Sequence, residues 1–81
     1  MEKRYYMINI VVLDRESAYN QVNELLHQYA NLIKLRVGYP VEEEGFAVIF
    51  VVVKATNDEV GSFAGKLGKI PKVKVKSTLV K

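Results

Sequence analysis

The run Phe46–Val53, FAVIFVVV, constrains this chain more than any other stretch. Eight consecutive apolar residues, five of them β-branched, are too few for a typical globular helix and match a strand buried on both faces. Glu42–Gly45 punctuates one end and Lys54 the other. Such a strand needs hydrogen-bonding neighbours on both edges and apolar cover on both sides.

The remaining segments supply the neighbours. Arg4–Leu13 is apolar on both faces, with Tyr6, Ile8, Ile10 and Val12 on one and Tyr5, Met7, Val11 and Leu13 on the other. Asn9 is its one polar interruption, so this is a second interior strand. Asp14 then stands at the N-cap of a helix over Arg15 to about Ala30, its carboxylate placed to accept from the first free N–H groups. Ala18, Val22, Leu25, Leu26 and Tyr29 recur at helical spacing as the buried stripe. Leu32–Tyr39 returns to alternation, Ile33, Leu35, Val37 and Tyr39 facing one way and Lys34, Arg36 and Gly38 the other. Pro40 cannot donate to a ladder, which suits an edge strand. The acidic turn Glu42–Glu44 with Gly45 leads back into the central strand.

Thr56-Asn57-Asp58-Glu59 has the S/T-x-x-E form of a capping box and opens a second helix. Val60, Phe63, Ala64 and Leu67 form its apolar stripe, and Gly61, Gly65 and Gly68 form a second stripe, with Gly68 as the stop. Each glycine inside a helix costs about 1 kcal/mol against alanine, which is offset if another strand, a second protomer or a ligand approaches closely there. Val73–Val80 is the last strand, with Lys72, Lys74 and Lys76 opposite Val73, Val75 and Leu79.

This order, strand–helix–strand–strand–helix–strand, predicts an α+β fold of ferredoxin-like βαββαβ type over residues 1–81 as a single domain. Two right-handed crossovers give a four-stranded antiparallel sheet, order 4-1-3-2, with both helices on one face. The other face then has an apolar centre, with Lys34 and Arg36 expected along one rim and Lys72, Lys74 and Lys76 along the other. A patch of several hundred Å² of this kind is rarely left to water. A second copy of the chain, in a dimer or tetramer, is the first occupant expected.

The alternative is a nucleic-acid-binding module that uses the open face and the lysine-rich last strand. The net charge of +3 conceals a split: residues 1–59 carry six basic and nine acidic side chains, residues 60–81 six lysines and no acid. The RNA-recognition module shares this strand order, and Gly45-Phe46-Ala47 fits part of its signature. Glu44, Val48 and Val51, however, replace its basic residue and two stacking aromatics. Base stacking contributes ~1–3 kcal/mol per base, so most of that mechanism is missing.

Enzyme chemistry has little support, and no catalytic residue is predicted. There is no cysteine, and Ser17, Ser62 and Ser77 have no base at an interpretable spacing. His27 is the one histidine, so no metal site and no cofactor are expected. No signal pattern opens the chain and no apolar run approaches the roughly 20 residues of a membrane helix, which predicts a cytoplasmic protein that does not engage membranes.

Three stretches together, RVGYP at Arg36–Pro40, NDEVGSFAGKLGKIP at Asn57–Pro71 and VKVK at Val73–Lys76, resemble the regulators of the iron-only hydrogenase system, small ACT-like proteins. The fold is also similar to the C-terminal domain of the nickel-responsive repressor. That repressor's metal site uses histidines and a cysteine, so nickel sensing is not implied here. Lys72 stands where a glycine is usual in the family. The resemblance implies a regulatory or sensing module that assembles through its sheet rather than an enzyme, and ACT domains bind small metabolites. By analogy with ACT domains, Asp14 and Arg15 at the first strand-to-helix turn are candidate ligand-binding residues. The residues themselves add Gly38, Gly61, Gly65 and Gly68 as places for close contact, with Arg36 and Lys66 available to pair an anion.

Overall fold

A computed structural model describes residues 2–81. The strands are β1 (Arg4–Val12), β2 (Ile33–Val41), β3 (Phe46–Ala55) and β4 (Val73–Leu79), and the helices α1 (Arg15–Gln28) and α2 (Asn57–Gly68). The sheet is antiparallel in the order β2-β3-β1-β4. The two doubly apolar strands therefore lie at its centre, as their patterns require.

One core fills the space between sheet and helices. Ile8, Ile10 and Val12 of β1 and Ala47, Ile49, Val51, Val53 and Ala55 of β3 are buried on the helix side. Ala18, Val22 and Leu26 descend from α1 and Val60, Phe63 and Leu67 from α2. Both buried triplets follow the i, i+4 or i, i+3 spacing that brings side chains onto one helical face.

Strand β2 departs from its expected orientation. A β-bulge between Ile33 and Leu35 inserts one residue, which reverses the alternation beyond it. Leu35, Val37 and Tyr39 then pair with Val52, Phe50 and Val48 and share the open face with them, whereas Arg36 and Gly38 pair with Val51 and Ile49 on the helix side. The physical preference is clear. The apolar side chains of this edge strand gain apolar neighbours on the open face, and Arg36 reaches α1 instead. Arg36 is thus not on the rim of the open face, although Lys74 and Lys76, opposite Val11 and Asn9, are.

The helix ends differ in quality. Asp14 caps α1 by position but its side chain makes no capping hydrogen bond; its carbonyl accepts from Ala18 N–H and from the Ser17 hydroxyl. The helix ends at Gln28, and a turn of 3₁₀ helix over Ala30–Leu32 leads into β2. At α2 the capping box is complete: Glu59 N–H donates to Thr56 Oγ1 at 3.1 Å, and Thr56 N–H to Glu59 Oε1 at 2.8 Å. Gly68 is the last residue of α2 rather than a left-handed stop, since only Gly45 among the glycines has positive φ.

The hydrogen bond from Thr56 N–H holds the Glu59 carboxyl below its ordinary pKa. A carboxylate favoured in this way stabilises the fold above its unfolded pKa, about 4.3, and loses that contribution as pH falls through the lower folded value. Glu59→Gln keeps a capping side chain but does not titrate, so its melting temperature should fall less than the parent's between neutral and acidic pH. Parallel melting curves across that range would contradict the assignment.

Lys72, just before β4, has φ 68°, a left-handed conformation that costs a residue bearing a Cβ about 1–2 kcal/mol. Its carbonyl accepts from Leu13 N–H at 2.7 Å, which fixes the turn. The turn therefore keeps the conformation a glycine would take. Lys72→Gly should raise stability by about 0.5–1 kcal/mol, after the larger unfolded-state entropy of glycine is set against the relieved strain. Chemical denaturation would read this, and a loss of stability would refute it.

Candidate functional site

The β1–α1 turn and the β2–β3 hairpin meet at one end of the sheet. Arg15 N–H donates to the Gly45 carbonyl at 2.9 Å, and Gly45, at φ 74°, turns the hairpin so that this carbonyl is available. A cavity of about 410 Å³ lies there, bordered by Asp14, Arg15, Glu16, Tyr19, Asn20 and Gly45. Two of the residues predicted from sequence, Asp14 and Arg15, are therefore on its wall. Glu16, Tyr19, Asn20 and Gly45 complete the wall and are not among the sequence candidates.

Arg15 is the cation on the cavity wall, beside the acidic Asp14 and Glu16. Its guanidinium lies 4.7 Å from the centre of the Tyr19 ring, within cation–π range, and its Nε is buried without a hydrogen-bond partner. Arg36 crosses from β2 to donate to the Asn23 carboxamide on α1. The Tyr19 hydroxyl is held below the ordinary phenol pKa. Hydrogen bonding to Asn23 is the largest cause, desolvation opposes it, and Arg15 adds a hydrogen bond and its charge, with Arg36 contributing charge. Arg15, Tyr19 and Asn23 succeed one another at i, i+4 and i+8 on α1, so helical geometry alone aligns them. Gly38 shares the helix-side face of β2 with Arg36, and the space above its Cα is open.

The other predicted residues lie elsewhere. Lys66 Nζ sits 5.3 Å from the centre of the Tyr29 ring, and Tyr29 shares a 3.1 Å hydrogen bond with the Ser62 hydroxyl. Lys66 and then Ser62 draw the Tyr29 phenol below its usual pKa. Arg36 and Lys66 thus engage different side chains, Asn23 and Tyr29. Gly61, Gly65 and Gly68 are exposed, and a Cβ at any of them would meet nothing within 4 Å. Among the described residues nothing packs against these positions, so no contact within them offsets the glycines.

The open face carries a second depression, of about 310 Å³, bordered chiefly by Asn9, Val11, Val37, Tyr39, Val48 and Phe50. Val37 is 51% exposed, Tyr39 64% and Val48 37%, so this face is apolar and uncovered in the single chain. Among the described residues no group of His, Cys, Asp or Glu is placed to hold a metal ion, and Glu42–Glu44 are exposed. No described helix is long and apolar enough to cross a membrane.

A sheet of this order with two helices on one face is the ferredoxin-like fold in its ACT-like form. The ACT domain of GTP pyrophosphokinase from Chlorobium tepidum superposes with a TM-score of 0.79 at 20% identity, over 94% of this chain and 99% of that one. The C-terminal domain of the MgtC protein from Mycobacterium tuberculosis gives 0.74 at 10% identity, over 96% and 88%. These likenesses concern the fold. The family is given by the sequence: residues 4–77 match the TM1266-like model, described as "Iron-only hydrogenase system regulator, putative", and the chain belongs to that family. The uncharacterized protein TM1266 from Thermotoga maritima is 57% identical, with a TM-score of 0.94 over 99% of this chain and 100% of that one. No curated protein matches the sequence.

Proposed function

We propose that this chain is a non-enzymatic regulatory module of an iron-only hydrogenase system, which homo-oligomerises through the open sheet face and binds a small anionic ligand beside the β1–α1 turn. The family description and the ACT-like fold support the regulatory role. The observation that carries the ligand reading is the cavity walled by Arg15, with its unpartnered Nε, and by Tyr19. A carboxylate or phosphate there gains charge-assisted hydrogen bonds from the guanidinium. Asp14 and Glu16 on the same wall favour a ligand that also bears a donor. Gly61, Gly65, Lys66 and Gly68 remain candidates for a contact made by a second subunit.

The test is a thermal-shift panel of amino acids, dicarboxylates, nucleotides and inorganic phosphate, since a ligand of the folded state raises the apparent midpoint. Tyr19 provides a local readout. An anion that takes up the positive charge of Arg15 moves the phenol's ionisation upward, and subtracting the Tyr19→Phe spectrum separates it from the other four tyrosines of the chain's five. A panel that moves neither the midpoint nor this titration rejects the ligand reading. Sedimentation equilibrium tests the oligomer, and a monomer at micromolar concentration rejects it.

Nucleic-acid binding is the second reading. Tyr39 and Phe50 border the open-face depression on the same side of the sheet as Lys74 and Lys76, which supports it. Binding of single-stranded oligonucleotides that weakens steeply with salt is its signature.

A further inference from the structure

The open face is a grid. Strand pairing sets three rows across it, each running from β2 to β4: Tyr39–Val48–Val11–Lys74, Val37–Phe50–Asn9–Lys76 and Leu35–Val52–Met7–Thr78. Every row is apolar at its β2 end and polar at its β4 end, and the first two are cationic there. The ends of the sheet differ as well. Val41–Phe46, Val12 and Val73 close one end, and just beyond it lie the acidic turn Glu42–Glu44 on the β2–β3 side and Lys72 on the β4 side.

We infer that two copies of this chain pack open face to open face about a two-fold axis parallel to the strands. The inference rests on the assembly reading above and adds the arrangement. A two-fold axis parallel to the strands reverses the rows in the partner while keeping the ends together. Each β4 then lies over the other copy's β2, so Lys74 and Lys76 extend their alkyl stems over the apolar β2 row, with a tyrosine face in reach of an ammonium. The acidic turn of each copy comes to the Lys72–Lys74 edge of the other, twice by symmetry. The two Asn9 carboxamides flank the axis, so that each has a polar partner when water is removed. An axis across the strands instead stacks β4 on β4, setting Lys74 and Lys76 against lysines. It also carries the acidic turn away from them. Like charges facing each other disfavour that arrangement, and the roughly −30° offset of packed sheets does not change which strands oppose.

Sedimentation equilibrium on charge-reversed chains tests this. One variant reverses the turn (Glu42→Lys, Glu43→Lys, Glu44→Lys), one reverses the edge (Lys72→Glu, Lys74→Glu) and one carries both sets. All five positions are exposed. Each single reversal should weaken association by about ten-fold, and the combined chain should return to near the parent's affinity. The parent's association should also weaken as salt rises. If self-association persists but ignores the reversals, or strengthens with salt, the arrangement is wrong and the assembly reading stands. A parent chain that stays monomeric overturns both.

Discussion

Replacing Phe63 with alanine is expected to lower the unfolding free energy by about 3–5 kcal/mol, the range for truncating a fully buried aromatic. Phe63 is completely buried, and its ring stacks on Tyr29 with centroids 4.6 Å apart. It projects from α2 into the middle of the one core. Truncation removes the apolar transfer term and leaves a cavity that the short helices cannot close. It also withdraws the surface on which Tyr29 rests, and with it the support for the Lys66 and Ser62 contacts. A domain of this size has roughly 5–12 kcal/mol to lose, so the variant should be close to its limit. At about 4–8 °C per kcal/mol the midpoint should fall by roughly 15–30 °C in thermal denaturation followed by circular dichroism. Phe63→Leu refills most of the volume and should recover more than half of the loss. A loss below about 1 kcal/mol for the alanine variant would mean that α2 is not seated on the sheet as described.

The element order and the central strands were legible because each segment was consistent with itself. Phe46–Val53 needed cover on both faces, the capping box opened α2, and the period change after Leu13 announced α1. The orientation of β2 was not legible, because a single bulged residue at its start reverses every side chain that follows, and nothing local distinguishes Ile33-Lys34-Leu35 with a bulge from the same residues without one. The candidate site divided in the same way. Asp14 and Arg15 could be placed by the turn they occupy. Gly45 was readable only as a hairpin residue, because its carbonyl meets Arg15 through the sheet's tertiary geometry. Tyr19 had a local signal, its i+4 spacing from Arg15 and to Asn23, whereas the smaller charge contribution of Arg36 arrives from another strand. The glycine stripe of α2 shows the opposite case: a conspicuous pattern that meets no packing partner among the described residues.

Val48→Asp should separate folding from assembly. Val48 sits in the interior of the open face between Tyr39 and Val11 and is 37% exposed in the single chain. An aspartate there remains solvated in the monomer, so the effect on folding is confined to the strand preference, up to about 1 kcal/mol. In the face-to-face assembly two carboxylates enter a dry interface, each facing the other copy's Val11 with Lys74 one strand away, and burial without a direct partner costs each several kcal/mol. Association should therefore fall by about 10³-fold or more, converting the parent's oligomer to monomer at micromolar concentration in sedimentation. Val48→Thr, of similar volume but uncharged, should fall between the two. Retention of the parent's mass by the aspartate variant would show that the sheets do not meet. The variant also isolates the ligand site, because Asp14, Arg15, Tyr19, Asn20 and Gly45 all belong to one chain and none shares the face of Val48. Its Tyr19 should still ionise early, and an anion found in the panel should still move that titration. Loss of both with the oligomer would instead mean that the partner completes the pocket.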